Sequence, residues 1–295
     1  MLLKDKKANW CLGLLIIGAV LISFDGVAWA FMGTRAWGMG GAYTAVADDA
    51  GAVFWNPAGL MQIKEPSIDV ALSFHTEAAD SYESLISYLE PDSGYGAGAL
   101  SWYYGRLDPV ADPSGTEYRV ANDFCYSLSK PVGKDQLVYL GGSIRYQNER
   151  KPFDPSSVTG WTGDISGLVQ VSHAVKAGIT IRDVYQVLKG QKDMASDHEA
   201  NMLLGLAFQP DEKIVIAVDG WDVLNRLESR SVRIGGEYRL EQGLALRAGL
   251  QKGLDNSWQA WTWGAGIDLA NWRVEYAYLG GDYQGIHTMG VTWRF

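Results

Sequence analysis

The sequence predicts an all-β fold, a 14-stranded antiparallel transmembrane β-barrel with an N-terminal plug in its lumen. Three observations predict it. The chain of 295 residues contains 35 Gly, 12 Trp and 15 Tyr, a composition that favours short strands and turns over helices. Residues 66–295 divide into short stretches in which apolar and polar residues alternate. The connections between these stretches are alternately short and long, as in barrels that cross a membrane.

Residues 1–30 have the features of a cleavable export signal. Three lysines within residues 1–7 precede the apolar run Trp10–Phe24, and Ala28 and Ala30 place small residues at the −3 and −1 positions. This arrangement predicts a secretory signal peptide that is removed after Ala30. An N-terminal membrane anchor is the alternative, but the apolar run is short for a membrane-spanning helix.

Residues 31–65 follow the signal and predict a compact plug. Six Gly and seven Ala fall within Gly33–Gly59, so this backbone can fold tightly in a confined space. The turn that begins at Asn56 is stiff, because Pro57 fixes its own φ and disfavours a helical conformation at the residue before it. Residue types alone leave an ordinary Gly/Ala-rich loop as the alternative.

The barrel itself is predicted for residues 66–295. In the last stretch, Met289, Val291 and Trp293 share one face, whereas the residues between them are polar or small. This period of two is the pattern of a strand with one apolar face. The predicted strands cover 66–76, 82–90, 94–105, 117–129, 136–148, 161–172, 174–184, 199–209, 213–222, 230–240, 243–252, 260–269, 272–280 and 286–295.

Six connections are short turns and lie on one side, whereas most of the seven connections on the other side are longer and more polar. An even-stranded barrel with both ends in the periplasm has this arrangement, and a soluble sandwich has no reason for it. The apolar faces carry aromatic residues near the strand ends, which predicts an exterior that contacts lipid. The short turns are expected near Pro91–Ser93, Pro131–Asp135, His173, Pro210–Glu212, Glu241–Gly243 and Ala270–Asn271.

The polar faces then line the lumen. If Ala270–Asn271 is a two-residue turn, Asp268 lies opposite Arg273, and a three-residue turn at Glu241–Gly243 places Glu237 opposite Arg247. Both are predicted ion pairs, and the alternative is a solvated polar lining. Fourteen strands enclose a lumen that wall side chains do not fill, so residues 31–65 are expected to occupy it. The predicted lumen-lining residues are Arg119, Arg145, Arg182, Arg233, Glu237, Arg247, Asp268 and Arg273.

Several kinds of chemistry are not expected. The net charge of −9 argues against nucleic-acid binding. The glycines around Met39 lack the strand, helix and spacing of a dinucleotide-binding motif. Asp48 and Asp49 are adjacent acids in a loop, more typical of solvated or backbone-capping residues than of a metal or acid–base pair. Four scattered histidines and one cysteine after the signal, Cys125, predict no metal site, cofactor or catalytic triad.

The stretch GTRAWGMGGAYTAVADDAGAVFWNPAGL resembles the N-terminal signature of the FadL superfamily of outer-membrane proteins, especially its PorV/PorQ-like branch. That signature begins with a GxRxxGMGGA-type motif and leads through ADD to WNPAGL. The resemblance implies a 14-stranded barrel with an N-terminal hatch that controls passage of hydrophobic molecules. The residues that it places in the hatch are Gly38, Gly40, Gly41, Asp48, Asp49, Asn56, Pro57 and Ala58.

Two functions follow as expectations. The first is hatch-gated passage of hydrophobic or amphipathic small molecules across the outer membrane of a Gram-negative-type bacterium. The second is a PorV-like component of a secretion system that binds exported proteins. The expected partners are accordingly outer-membrane lipid, a hydrophobic small-molecule ligand or secretion-system proteins, and no nucleic acid. The chain is not expected to be an enzyme.

Overall fold

The computed structural model describes residues 33–76, 82–107, 119–133, 135–150, 157–189, 200–224, 230–254, 258–282 and 285–295. The signal peptide expected in residues 1–30 lies outside these ranges, as does the side chain of Arg119, so both remain predictions.

Fourteen antiparallel strands form a closed barrel, in which each strand pairs with its neighbours in sequence and the last pairs with the first. The register of closure places Ser67 opposite Arg294 and His75 opposite Ile286. The strands are β1 (Ser67–His75), β2 (Tyr82–Glu90), β3 (Ala97–Leu107), β4 (Arg119–Val132), β5 (Val138–Arg150), β6 (Ser157–Ser172), β7 (Val175–Lys189), β8 (Asn201–Phe208), β9 (Ile214–Trp221), β10 (Ser231–Arg239), β11 (Leu244–Gly253), β12 (Gln259–Leu269), β13 (Trp272–Gly281) and β14 (Ile286–Arg294).

The predicted fold class and strand count are therefore confirmed, with strand ends that differ by a few residues. Pro131 was expected in a turn but lies in β4, opposite Tyr139. It stands next to the last residue of the strand, where the N–H that proline lacks costs little. β7 extends five residues beyond its predicted end. A shift in register opposite Asp164 and a positive φ at Asp183 interrupt the alternation there.

The two ends of the barrel differ as expected. Six connections, β2–β3, β4–β5, β6–β7, β8–β9, β10–β11 and β12–β13, lie at one end together with the approach to β1 and the C-terminus. We call this the short-turn end, and the opposite end the long-loop end. Short turns and both termini lie on the periplasmic side in bacterial outer-membrane barrels.

The outward face is apolar and carries aromatic belts near both ends. At the short-turn end, Trp272 stacks against Trp293. Toward the long-loop end, Trp261 and Trp263 are each 46% exposed and contact Tyr278. This distribution matches the aromatic girdles of a transmembrane barrel. Among the described residues, no helix is long and apolar enough to cross a membrane.

The N-terminal segment lies inside the barrel. It contains two short helices and a 3-10 helix, α1 (Thr34–Gly38), α2 (Ala52–Trp55) and Pro57–Gln62. Many of its side chains are wholly buried, including those of Trp55 and Tyr43. The barrel wall around the segment buries them. The main hydrophobic core of the molecule is consequently the contact between this segment and the barrel wall. We call residues 33–63 the plug.

Glycines of the wall let the plug backbone approach closely. A Cβ atom on Gly235 would lie 2.0 Å from the carbonyl oxygen of Met39, and one on Gly141 would lie 2.2 Å from the amide nitrogen of Ala58. No real Cβ atom can approach so closely, so these strand positions require glycine because of the plug. The same relationship recurs on β7, where a Cβ on Gly178 would meet the carbonyl oxygen of Thr44 at 2.4 Å.

Candidate functional site

The candidate site is the plug together with the lumen surfaces that hold it. Its central turn is fixed by Asn56, which is fully buried. The Asn56 side chain accepts a hydrogen bond from the amide of Ala58 (3.1 Å) and donates to the carbonyl oxygens of Thr44 (2.7 Å) and Gly167 of β6 (3.1 Å). Pro57 follows at the first position of the 3-10 helix, where its missing N–H costs nothing. Asn56 thus joins two parts of the plug to the wall.

The next residue, Ala58, is also bonded to the wall through both of its backbone groups. Its amide donates to the Ser166 hydroxyl (2.9 Å), and its carbonyl accepts from the Ser129 hydroxyl (2.9 Å). A third hydroxyl, that of Thr180, donates to the carbonyl of Trp55 (2.8 Å). Strands β4, β6 and β7 therefore hold the Asn-Pro-Ala turn through neutral hydrogen bonds, each of which contributes about 0.5–1.5 kcal/mol.

The glycine-rich part of the plug is held by a single carboxylate. Asp219 of β9 accepts hydrogen bonds from the amides of Tyr43 (2.9 Å) and Thr44 (2.7 Å) through the same oxygen. Gly40 and Gly41 precede these amides with φ values of 65° and 66°. This left-handed conformation is accessible to glycine at little cost, and it aims the following amides at the carboxylate.

Arg35 anchors the opposite side of the plug through charge. Its guanidinium donates to both oxygens of Glu237 of β10, at 2.7 and 3.0 Å. Glu237 also accepts from Arg247 (2.6 Å) and from Arg239 (2.8 Å). The Glu237–Arg247 pairing across β10 and β11 is the one that the register predicted. One carboxylate therefore serves three guanidiniums, and only one of them belongs to the plug.

Asp48 and Asp49 complete this network from within the plug. Asp48 pairs with Arg35, and Asp49 accepts from the Tyr43 hydroxyl (2.7 Å) and from the amide of Gly51 (2.8 Å). Burial alone would raise the pKa of the Asp48 carboxyl, but the attraction of Arg35 outweighs it and leaves that pKa below its ordinary value. Burial raises the pKa of Asp49. Both acids therefore join parts of the plug to one another, and Asp49 caps the backbone amide of Gly51.

The predicted lumen-lining arginines that the structure describes all point inward. Arg145 pairs with Asp164 of the neighbouring strand (2.9 Å). Arg233 lies against two rings, with its guanidinium carbon 4.0 Å from the centre of Trp221 and 5.6 Å from that of Trp55. Arg273 donates to both oxygens of Asp268 at 3.0 Å, which is the second ion pair that the register predicted.

The predicted lumen-lining residues are mostly arginines, but the structure also places buried acids on the lumen face. Asp164, Asp219 and Glu275 are all less than a tenth exposed and face inward. None of them was predicted as a site residue, although alternation along β13 gives Glu275 the face of Arg273, and the register places Asp219 opposite Arg233. The lining is therefore one of mixed charge. Among the described residues, no group of histidine, cysteine or acidic side chains could hold a metal ion.

An apolar patch interrupts this polar lining toward the long-loop end. It consists of inward-facing Ala260, Leu279 and Ile286 on β12, β13 and β14. Trp37 of the plug and Trp258, which precedes β12, pack against it and remain partly exposed. We call these five residues the aromatic patch. Alternation did not predict this patch, because apolar residues that face inward cannot be distinguished by type from residues that face lipid.

Comparison with solved structures gives the barrel its relatives in fold. A mutant of TodX, which is described as a monoaromatic hydrocarbon channel and is from Pseudomonas putida, superposes with a TM-score of 0.67 and 13% identity over 89% of this chain and 98% of that one. TbuX, described as the Ralstonia pickettii toluene transporter, has a TM-score of 0.63 and 12% identity over 89% and 98%. A Pseudomonas aeruginosa FadL homologue has a TM-score of 0.64 and 12% identity over 92% and 100%.

These likenesses show a shared fold, that of FadL-type barrels, over nearly the whole chain. TodX and TbuX are described as a channel and a transporter. No protein-family model matches the sequence, and no curated protein matches it.

Proposed function

We propose that the protein lets small hydrophobic molecules pass the outer membrane through its lumen, with the plug as a hatch. The aromatic patch carries this proposal. The lumen is otherwise lined mostly by charged and hydroxyl-bearing residues. Here Trp37 of the plug packs against apolar wall residues, so a ring or short alkyl chain that displaced Trp37 would meet an apolar surface. Ligand sites are typically apolar surfaces of this kind with few polar groups.

The position of the patch indicates where a molecule that enters from outside would bind first. The aromatic patch faces the long-loop end, which is the outer side of such a barrel, and the plug lies between it and the short-turn end. A molecule that binds the patch therefore contacts the plug directly through Trp37. The likeness in fold to proteins described as monoaromatic hydrocarbon channels and toluene transporters supports a ligand of similar size and polarity.

The hatch residues proposed from the sequence are Gly38, Gly40, Gly41, Asp48, Asp49, Asn56, Pro57 and Ala58. Three of them, Gly38, Asn56 and Ala58, form hydrogen bonds to the wall. Opening would require the Asn56 turn or the Arg35–Glu237 pair to release, since these are the polar contacts at the two sides of the plug. The neutral hydrogen bonds of Asn56 and Ala58 are individually weak, so we expect the Asn56 turn to leave the wall before the Arg35–Glu237 pair separates.

The experiment is uptake of labelled toluene by cells that lack their own hydrocarbon channels and express this chain. We expect saturable uptake, reduced several-fold in Trp37→Ala. Trp272→Ala is the matched control, because Trp272 faces lipid and stacks on Trp293 at the other end of the barrel. Uptake no higher than in cells with an empty vector, at equal amounts of folded barrel, would refute the proposal.

The second candidate is a secretion-system barrel that binds exported proteins. The observation that favours it is a lumen of mixed charge that the plug closes through many hydrogen bonds and ion pairs. Such a barrel would bind proteins at its surface and would not conduct small molecules. Native mass spectrometry of the barrel from its own membrane separates the two candidates. A small lipophilic adduct that is lost in Asn56→Asp supports passage of small molecules, whereas a stoichiometric protein subunit without such an adduct supports the secretion candidate.

A further inference from the structure

A cavity lies at the short-turn end, on the opposite side of the plug from the aromatic patch. Its volume is about 970 Å³, and the charged residues of the plug and the ends of the strands line it. Eight arginines and lysines and six carboxylates contribute to this lining, although the whole chain carries a net charge of −9. We call this cavity the vestibule.

Most cations of the vestibule form ion pairs with carboxylates. Arg35, Arg239 and Arg247 share Glu237, and two further arginines share Asp268. These carboxylates are therefore shared by more than one cation each. In the part of the chain that the structure describes, Lys64 and Lys176 are the vestibule cations that form no ion pair with an acid.

Lys176 is held in place without being neutralised. Its ammonium donates to the side-chain oxygen of Gln62, at 2.5 Å. The Gln62 amide cannot turn away, because its nitrogen donates to the carbonyls of Val46 (2.7 Å) and Ala47 (3.3 Å) in the plug. An ammonium has three donors, and this contact uses one of them. The other two form no hydrogen bond within the described ranges.

The charges around Lys176 favour an anion. Its strongest charge–charge interactions are an attraction to Asp48 and repulsions from Arg35, Arg239 and Lys64. Asp48 is already paired with Arg35. An anion that approaches Lys176 would therefore be attracted by several cations, and the carboxylate that acts most strongly on Lys176 is already paired, in a cavity where partial burial weakens the screening of charges by water.

We infer that the vestibule binds a small anion through carboxylate or phosphate oxygens, with Lys64 and Lys176 as its direct contacts. This site goes beyond the proposed passage of hydrophobic molecules and does not depend on it, since the plug separates the vestibule from the aromatic patch. Glu65 and Glu212 stand exposed at the rim and form no ion pair with either lysine in the described ranges, so they leave the two ammonium groups available.

The test is isothermal titration of the full chain in an uncharged detergent, with inorganic phosphate and with benzoate, at low ionic strength. Benzyl alcohol is the uncharged match for benzoate. We expect one saturable site for at least one of the two anions, weakened about tenfold or more in Lys64→Met/Lys176→Met. The anion that binds more tightly identifies the group that the vestibule takes.

The matched control is Lys130→Met/Lys252→Met, which removes the same charge from exposed positions outside the vestibule. Retained binding in this variant supports the site. Absence of saturable binding of both anions, equal weakening in the two double variants, or equal binding of benzyl alcohol would each overturn the inference. Because the measurement uses purified protein and charged probes, its failure leaves toluene uptake unaffected, and the two proposals are judged separately.

Discussion

The carbonyl oxygen of Met39 occupies the space where a Cβ atom of Gly235 would stand, 2.0 Å from that position. The contact joins the plug to β10 without a side chain on either partner. Gly235→Ala must therefore displace the plug backbone or strain the strand. Overpacking of a well-packed interior typically costs about 1–3 kcal/mol. We expect the plug to be loosened and small sugars to leak faster into liposomes that contain the variant.

The adjacent Gly236 offers the control. It faces outward, and a Cβ there would have its nearest neighbour at 3.5 Å, an ordinary contact with Val215. Gly236→Ala should leak no faster than the unchanged protein. Both variants should keep the altered electrophoretic mobility of a folded barrel before heating. Equal leakage of small sugars through the two variants would mean that the plug is not held by this close approach.

Glu237→Gln removes the charge that three guanidiniums share. The amide keeps the shape of the carboxylate but removes the charge that buried Arg35 and Arg247 share, so that Arg35 keeps only its pairing within the plug and Arg247 only its pairing with Glu275. Removing one partner of a buried pair typically costs about 3–5 kcal/mol. We expect the plug to become susceptible to protease while the barrel stays folded, and the midpoint of thermal unfolding to fall.

Glu241→Gln is the corresponding control for that variant. Glu241 pairs with Lys213 at 3.1 Å, and both side chains are mostly exposed. Such surface pairs contribute about 0–1 kcal/mol, so this variant should resemble the unchanged protein. Protease resistance of the plug in Glu237→Gln as high as in Glu241→Gln would show that the charge network does not retain the plug.

Asn56→Asp tests the neutral side of the plug. The substitution keeps the volume and the acceptor for the Ala58 amide, but it replaces the amide donor to the carbonyls of Thr44 and Gly167 by a carboxylate oxygen. Leaving such buried groups unsatisfied costs about 1–3 kcal/mol each. Liposome leakage should rise, whereas Asn271→Asp, at an exposed turn, should leave it unchanged. Tight liposomes with Asn56→Asp would exclude this turn as the weak side of the hatch.

The dependence of plug docking on pH follows from the two acids of the plug. The pKa of Asp48 lies below its ordinary value of 3.8, so its stabilising contribution is present above that value and is lost as the pH falls below it. The pKa of Asp49 is raised, so its ionisation costs stability at neutral pH, and this cost is relieved as the pH falls through the raised pKa.

Docking should therefore hold or tighten slightly as the pH falls from about 7 to about 4, and weaken only at lower pH. Conductance of the protein in planar bilayers, recorded across this range, measures the effect. Asp49→Asn should reduce the pH dependence above about pH 4, because it removes one of the groups that titrate there. Conductance that rises between about pH 7 and pH 5 would contradict the assignment.

The pairing of Asp268 with Arg273 shows how far the register could be predicted. A two-residue turn at Ala270–Asn271 fixes which residues are opposed across β12 and β13, and the structure has this turn and this pair. The same reasoning placed Glu237 opposite Arg247. Strand pairing is local and has a period of two, so the sequence contains the information that it needs.

The partners of Arg35 show where this reasoning ends. Its main partner, Glu237, lies 202 positions away in the sequence, and no turn or alternation relates the two. The same is true of Asp219 with the Tyr43 and Thr44 amides, and of the aromatic patch, which combines Trp37 with β12, β13 and β14.

The sequence by itself determined the barrel, its strand number and the faces of its strands, because those features follow from local alternation and from turn lengths. It also predicted the segment that enters the lumen, from the glycine content of that segment and the size of a 14-stranded lumen. Only the tertiary structure decided how the plug is oriented, which wall glycines receive its backbone, and which lysines remain without an acid. Those contacts depend on the position of a compact segment inside a closed wall. That position is set by close packing and by charge pairing between residues far apart in the chain, for which a single sequence has no periodic signal.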